Sequence, residues 1–344
     1  MNTPWHDFLS QHGASLNDAR QISFGHDART EINSIVDELA VISLDQLGII
    51  QVSGEDAQDF LQSQFSNDIA LLNSTTSQLS AYCNPKGRIL AQFLVIQAND
   101  SYLLILPLNI IDKTMQRLTM FVMRSKVELA NVTNELICFG LAGNQPENTE
   151  FALPENDYQL ATRQSVLTIK LPAPLNRYLI IAPIENAMSI WTSLKDSHTP
   201  RSHHVWQWLE IQAGIPSIVK ETMEEFVPQM VNLELIGAVN FKKGCYPGQE
   251  IVARMHYLGK AKRRMFKLHS KEATPPPPGT DLYLNGGDGQ SAGKIVSAEP
   301  ANDSGIDLLA VIRLNHQNSD QLRLGSADGP ALEFTAQPYS LDPE

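Results

Sequence analysis

The spacing of hydrophobic positions changes several times along this 344-residue chain, and each change predicts an element. In "TPWHDFLSQHGA", Trp5, Phe8 and Leu9 share one face of a short helix. "LAVISLDQLGIIQVSG", starting at Leu39, is apolar and β-branched, which predicts strand. In "SGEDAQDFLQSQFSND", Ala57, Phe60, Leu61 and Phe65 recur at helical spacing, with Ser53 as the expected cap and Asp56 as its capping-box partner. "QLSAYCNPKGRILAQFLVIQANDSYLLILP" reads as three strands. Asn84-Pro85-Lys86-Gly87 turns between the first two, and Asn99-Asp100 between the second and third. Ile111, Met115, Leu118 and Val122 then line one face of a helix that runs into another strand. This order predicts α+β layers rather than a doubly wound nucleotide fold. No GxGxxG follows a strand, and no GxxxxGK[ST] loop occurs.

A second α/β stretch runs from about Leu136 to Trp191, and "HHVWQWLEIQAGIP" predicts a helix ended by Gly214 and Pro216. After Gly259 the pattern becomes short strands between Pro- and Gly-rich turns: "RRMFKLHS", "TDLYLN", "SAGKIVSAEP", "DLLAVIRL" and "ALEFTAQPY". That predicts a small all-β terminal domain, a barrel, entered through the stiff Pro275–Pro278 connector. The expected division is 1–135, 136–258 and 259–344.

Charge and cysteine content narrow the function classes. The net charge is −12, which argues against a large nonspecific nucleic-acid surface. It is unevenly spread. From Phe241 to Lys267, eight cations (Lys242, Lys243, Arg254, Lys260, Lys262, Arg263, Arg264 and Lys267) face Glu250 alone, a local +7 that leaves −19 for the rest. Such a strip suits a phosphate, a carboxylate or an acidic patch on a partner; it equally suits a solvated strand face. The opening residues lack a secretory signal pattern and no apolar run is long enough to span a membrane, so a cytoplasmic location is expected. Three widely spaced cysteines, Cys83, Cys138 and Cys245, argue against a disulfide framework and against a single-chain four-thiolate metal site. Adjacent His203 and His204 are expected to diverge, so no metal is expected there.

The least ordinary stretch is "FKKGCYPGQE", Phe241–Glu250. Its cysteine could pack, bind metal or present a thiol for chemistry; Lys242, Lys243 and a Gly-rich turn would favour the thiolate. Gly244 and Gly248 are expected to permit positive φ or close approach of a ligand. "FKKGCYPGQEIVAR" resembles the signature of the YgfZ family, folate-binding relatives of the glycine-cleavage T-protein. "SGEDAQDFLQSQFSNDI", "YCNPKGRILAQF", "FVMRSKVEL", "FVPQMVNLEL" and "GKIVSA" resemble that family in order and spacing, from about Leu39 to Leu314.

The resemblance implies two T-protein-like α/β subdomains around a central cavity plus a C-terminal antiparallel β-barrel. It implies a tetrahydrofolate-type ligand and a role in assembly or repair of iron–sulfur clusters in client enzymes, including one that modifies tRNA. Trp206 takes the place of a family tryptophan set against the folate rings, and Lys243 and Arg254 could pair with folate carboxylates. Two positions depart from relatives. Gln212 stands where they commonly carry Glu, and Leu47 where a second tryptophan falls. Cys245 is the expected functional thiol; one cysteine cannot close a cluster site alone. After Lys86-Gly87 no acid occurs before Asp100, so the T-protein aspartate is missing and glycine-cleavage chemistry is disfavoured. Two other readings stay open. One is a tetrahydrofolate-dependent one-carbon transferase or demethylase. The other is a module that contacts tRNA directly through the basic strip.

Overall fold

The computed structural model describes residues 3–16, 21–143, 151–257, 259, 261–272, 274–287 and 289–341. Helix α1 (Thr3–Gln11) precedes a short pair of strands, β1 (Ser15–Leu16) and β2 (Ile22–Ser23). Helix α2 (Ala28–Ser34) starts at Asp27, whose carboxylate accepts from Thr30 N at 3.0 Å. The Leu39 stretch divides into β3 (Ala40–Ser43) and β4 (Leu47–Ser53), and α3 (Ala57–Gln64) follows. The expected Ser53 cap is not made: Ser53 ends β4, and the Asp56 carboxylate accepts instead from Lys126 N at 2.7 Å. The three predicted strands are β5 (Ser77–Cys83), β6 (Ile89–Ala98) and β7 (Ser101–Pro107), and the amphipathic helix is α4 (Ile111–Val122). Strand β8 (Glu128–Asn131) completes a sheet of order β5-β6-β7-β4-β8.

The next stretch gives β9 (Leu136–Gly143), β10 (Leu160–Arg163), β11 (Val166–Leu171), β12 (Asn176–Pro183) and α5 (Ile184–Leu194). Strand β13 (Thr199–Arg201) pairs in parallel with β3 at the edge of a sheet ordered β10-β11-β12-β9-β3-β13. Trp5, Phe139 and Trp191 anchor the core between this sheet, α1 and α5, with Trp191 meeting Trp5 edge-on at 5.6 Å. Helices α6 (His203–Ala213) and α7 (Gln249–Tyr257) precede the terminal strands. These are β14 (Arg263–Ser270), β15 (Asp281–Leu284), β16 (Gly293–Pro300), β17 (Ile306–Arg313), β18 (Leu322–Leu324) and β19 (Leu332–Phe334). They form one antiparallel sheet, β18-β15-β16-β17-β14-β19, that the bridge Arg323↔Ala331 brings close to closing as a barrel. Its interior is apolar, built on Phe266, Leu268, Ile295, Leu308 and Ala310.

Compactness groups the chain into two discontinuous units. Unit 1 is 1–60, 70–78 and 93–209; unit 2 is 61–69, 79–92 and 210–344. The expected boundary at 135/136 lies within unit 1, and that at 258/259 within unit 2. The segment carrying Cys245 therefore belongs to the same compact unit as the barrel and the Asn84–Gly87 turn.

Candidate functional site: a thiol turn fixed on a second turn

Two tight turns of unit 2 lie backbone against backbone. The first is closed by Gly87 N donating to Asn84 O at 2.9 Å, and the Asn84 side chain accepts from Lys86 N and Arg88 N. The second, directly after Cys245, is Tyr246-Pro247-Gly248-Gln249, closed by Gln249 N donating to Tyr246 O, and it leads into α7 through Val252 N to Gly248 O. Gly248 has φ +80°, and a Cβ there would lie 2.5 Å from Asn84 O and 2.7 Å from Gly87 Cα. Only glycine fits both the conformation and the approach. At Gly244 an added Cβ would meet no protein atom within 4 Å, and its φ lies outside the left-handed region. Positive φ, one of the two expectations, is found at Gly248 and not at Gly244.

Of the three cysteines, Cys245 is exposed and the other two are buried. Burial pushes the Cys83 and Cys138 thiols up to about 12, so both stay protonated at neutral pH. Tyr246, beside Cys83, turns inward and anchors the loop; its hydroxyl is also pushed up by burial.

Lys243 is not a surface cation. It is 8% exposed, and its ammonium donates to Gln62 O at 2.6 Å and to Phe65 O, at the C-terminal end of α3. Helix carbonyls left without amide partners attract a cation there. The ammonium also lies 5.3 Å from the centroid of the Tyr246 ring. Burial lowers its pKa to about 8, with Asp68 opposing the shift. The pairing with a folate carboxylate expected of Lys243 gives way to this internal cap. Arg254, on α7, is exposed and forms no ion pair among the described residues.

The basic strip is likewise not one face. Lys243 and Arg264 are buried, Lys242, Arg254, Lys262 and Arg263 are exposed, and Lys260 lies outside the described residues. Arg264 donates to Gln229 O at 3.0 Å and to Glu234 Oε1.

Gln212 is held in a polar chain within unit 2. Its amide nitrogen donates to Asp307 Oδ2 at 2.8 Å, its oxygen accepts from Lys267 Nζ at 3.2 Å, and Asp307 Oδ1 lies 3.0 Å from His269 Nδ1. A carboxylate is thus present next to the position where relatives commonly carry Glu, supplied by Asp307. Nothing in the sequence drew attention to Asp307, a lone acid within an apolar strand.

Leu47 and Trp206 belong to unit 1. Leu47 lines a cavity of about 110 Å³ with Trp5, His6, Asp45 and Cys138, far below the roughly 300–1,000 Å³ of small-molecule sites. Trp206 is 4% exposed; its ring fills the space a side chain at Gly140 would need, with the Arg177 guanidinium 5.2 Å over it. The adjacent histidines do not diverge: their rings stack at 4.4 Å. His203 is buried 3.9 Å from Asp45, and burial pushes its imidazole down to about 3.

Comparison with known proteins agrees with this architecture. Residues 6–160 match the family described as "GCVT N-terminal domain". A glycine cleavage system aminomethyltransferase T from Bartonella henselae superposes with TM-score 0.78 over 98% of this chain and 97% of its own, at 16% identity. That likeness establishes the GcvT-like fold. "tRNA-modifying protein YgfZ" of Enterobacter sp. (strain 638) is 29% identical over 88% of this chain and 94% of its own length. The protein of the same name from Photorhabdus laumondii is 30% identical over 89% of this chain and 94% of its own. With 30% identity over nearly the full length of both chains, this chain belongs to the YgfZ family.

Proposed function

We propose that this protein is a cytoplasmic, folate-binding accessory factor that supports tRNA modification by helping to assemble or repair iron–sulfur clusters in a subset of enzymes. The observation that carries the reading is Cys245: an exposed thiol held on a turn that packs on a second turn through glycine. A thiolate there would ligate iron, with the remaining ligands coming from a client or a small thiol. The relatives' name supplies the link to tRNA.

Three polar residues that bond one another in the free protein would exchange those bonds for a folate. The edge of its ring system carries N–H donors beside acceptors, and Gln212, Asp307 and Lys267 offer a carboxylate, an amide and an ammonium together. These three would hold the ring edge, and Arg254 would take a glutamate carboxylate. A stacking role for Trp206 would require the indole to leave the cover of Gly140 and Arg177. Bound tetrahydrofolate would supply one-carbon carrier chemistry.

The test is complementation. Cells lacking this protein receive wild type or Cys245→Ala, and the modified-nucleoside fraction of tRNA made by an iron–sulfur enzyme is measured by mass spectrometry. Wild type should restore the fraction. Cys245→Ala, accumulating normally, should restore little of it; full restoration overturns the reading.

A further inference from the structure

Three aromatic rings of unit 2 meet where α7 ends. Phe241, on the stretch that enters the thiol turn, stacks on His256 with ring centroids 3.7 Å apart and planes 11° from parallel. Tyr257 meets both edge-on, 4.7 Å from His256 and 6.1 Å from Phe241. The rings of Trp5 and Trp191 are buried in a core, whereas this cluster lies at the surface. His256 is exposed, and Tyr257 is 63% exposed.

His256 also lines a cavity of about 610 Å³. That cavity shares Ala261 and Leu314 with a second, of about 530 Å³, lined by Lys262, Arg263 and Arg313. Lys262 and Arg263 are exposed, so the two cavities run together as an open trough from the rings to the cations. Arg263 and Arg313 are direct partners in the β14–β17 register, and like charges placed opposite each other destabilise a sheet. The chain carries a net charge of −12, yet none of the three cations has an ion-pair partner among the described residues. A phosphate relieves a cross-strand guanidinium pair by accepting N–H donors from both.

We propose that the ring cluster and the trough form a binding surface for single-stranded nucleic acid: bases stack on Tyr257 and His256, and phosphates lie on Lys262, Arg263 and Arg313. Cations that track the backbone beside rings that take the bases are the two components of such surfaces, and the stacking needs no particular base. A duplex fits less well, because its bases already stack on one another. An acidic peptide would pair with the cations and leave the rings unused. The surface goes beyond the accessory-factor reading, since it brings nucleic acid to this chain itself rather than to a client enzyme alone. It shares no residue with the Cys245, Gln212, Asp307 and Arg254 assignments, so failure of folate binding would leave it standing.

The test is fluorescence anisotropy of the full chain at low salt. The probes are fluorescein-labelled r(CACACACACA), the same strand annealed to its complement, d(CACACACACA), and a labelled polyglutamate peptide of equal length. A single strand should bind tighter than the duplex and tighter than polyglutamate. Its log K should fall with log[salt] at a slope of about −2, since each of three phosphate contacts contributes about −0.7. Tyr257→Ala should weaken binding about fivefold or more, and Tyr257→Phe should keep it. Arg313→Glu should weaken it about tenfold or more while leaving the melting temperature equal or higher, because it places an acid opposite Arg263. Tighter binding of the RNA strand than the DNA strand identifies RNA as the source, the reverse identifies DNA, and equal binding shows that the sugar is not read; each supports the surface. No binding, equal affinity for the duplex or for polyglutamate, or unchanged affinity in Tyr257→Ala or in Arg313→Glu overturns the proposal.

Discussion

Replacing Gly248 by alanine tests whether the thiol turn is truly fixed by backbone packing. Two costs add. A non-glycine residue in the left-handed region costs about 1–2 kcal/mol, and φ there is +80°. The new Cβ would also lie 2.5–2.8 Å from Asn84 O, Gly87 Cα and Gly87 N. All three are backbone atoms, so relief requires the turns to part, at about 1–3 kcal/mol for an overpacked contact. The expected loss is about 3 kcal/mol. Gly87→Ala, also at positive φ but meeting the Ile251 side chain at 3.1 Å and Gly248 O no closer than 3.4 Å, should cost about 1–2 kcal/mol. Gly244→Ala, with open space around it, should fall within about 0.5 kcal/mol of wild type. Urea unfolding followed by far-UV circular dichroism ranks the three. If Gly248→Ala is as stable as Gly244→Ala, the packing argument is wrong.

Three further outcomes follow from burial. A thiol reagent should modify one cysteine rapidly in the native protein and all three in denaturant, because Cys83 and Cys138 are buried; rapid loss of two native thiols contradicts the structure. Lys243 is lowered by burial to about 8 from its ordinary 10.5, so between those pH values the unfolded chain holds a proton that the folded chain has lost. Wild-type stability should therefore rise relative to Lys243→Met as pH increases from about 8 toward 10.5, and a flat difference refutes the buried cap. His203 is lowered to about 3 from 6.5, so acidification through that window protonates the unfolded chain first and removes stability. His203→Gln should unfold less steeply with acid than wild type; identical acid limbs in the two proteins would count against the burial of His203.

The layers were readable because period-2 and helical spacings persist over whole elements. That is why the strands of the barrel stood out and β18, only three residues long, did not. Side-chain destinations were harder to read. Lysine in a charged run reads as surface, and nothing local announces that Lys243 turns inward to the end of α3. Ser53 followed by Asp56 fits a capping box, yet the sheet takes Ser53 and Lys126 N takes the Asp56 carboxylate. Trp206 was legible as an aromatic on a helix, whereas its burial depends on Gly140, 66 positions earlier on another element. Gln229 and Glu234 lay within a motif recognised as a string, without any sign that they line a cavity with Arg264.

Folate binding is the central claim, and anaerobic calorimetry of tetrahydrofolate on wild type and Asp307→Asn tests it most directly. The account predicts micromolar binding to wild type, weakened at least tenfold in Asp307→Asn without a change in urea midpoint. Absence of heat and of binding in wild type would contradict it.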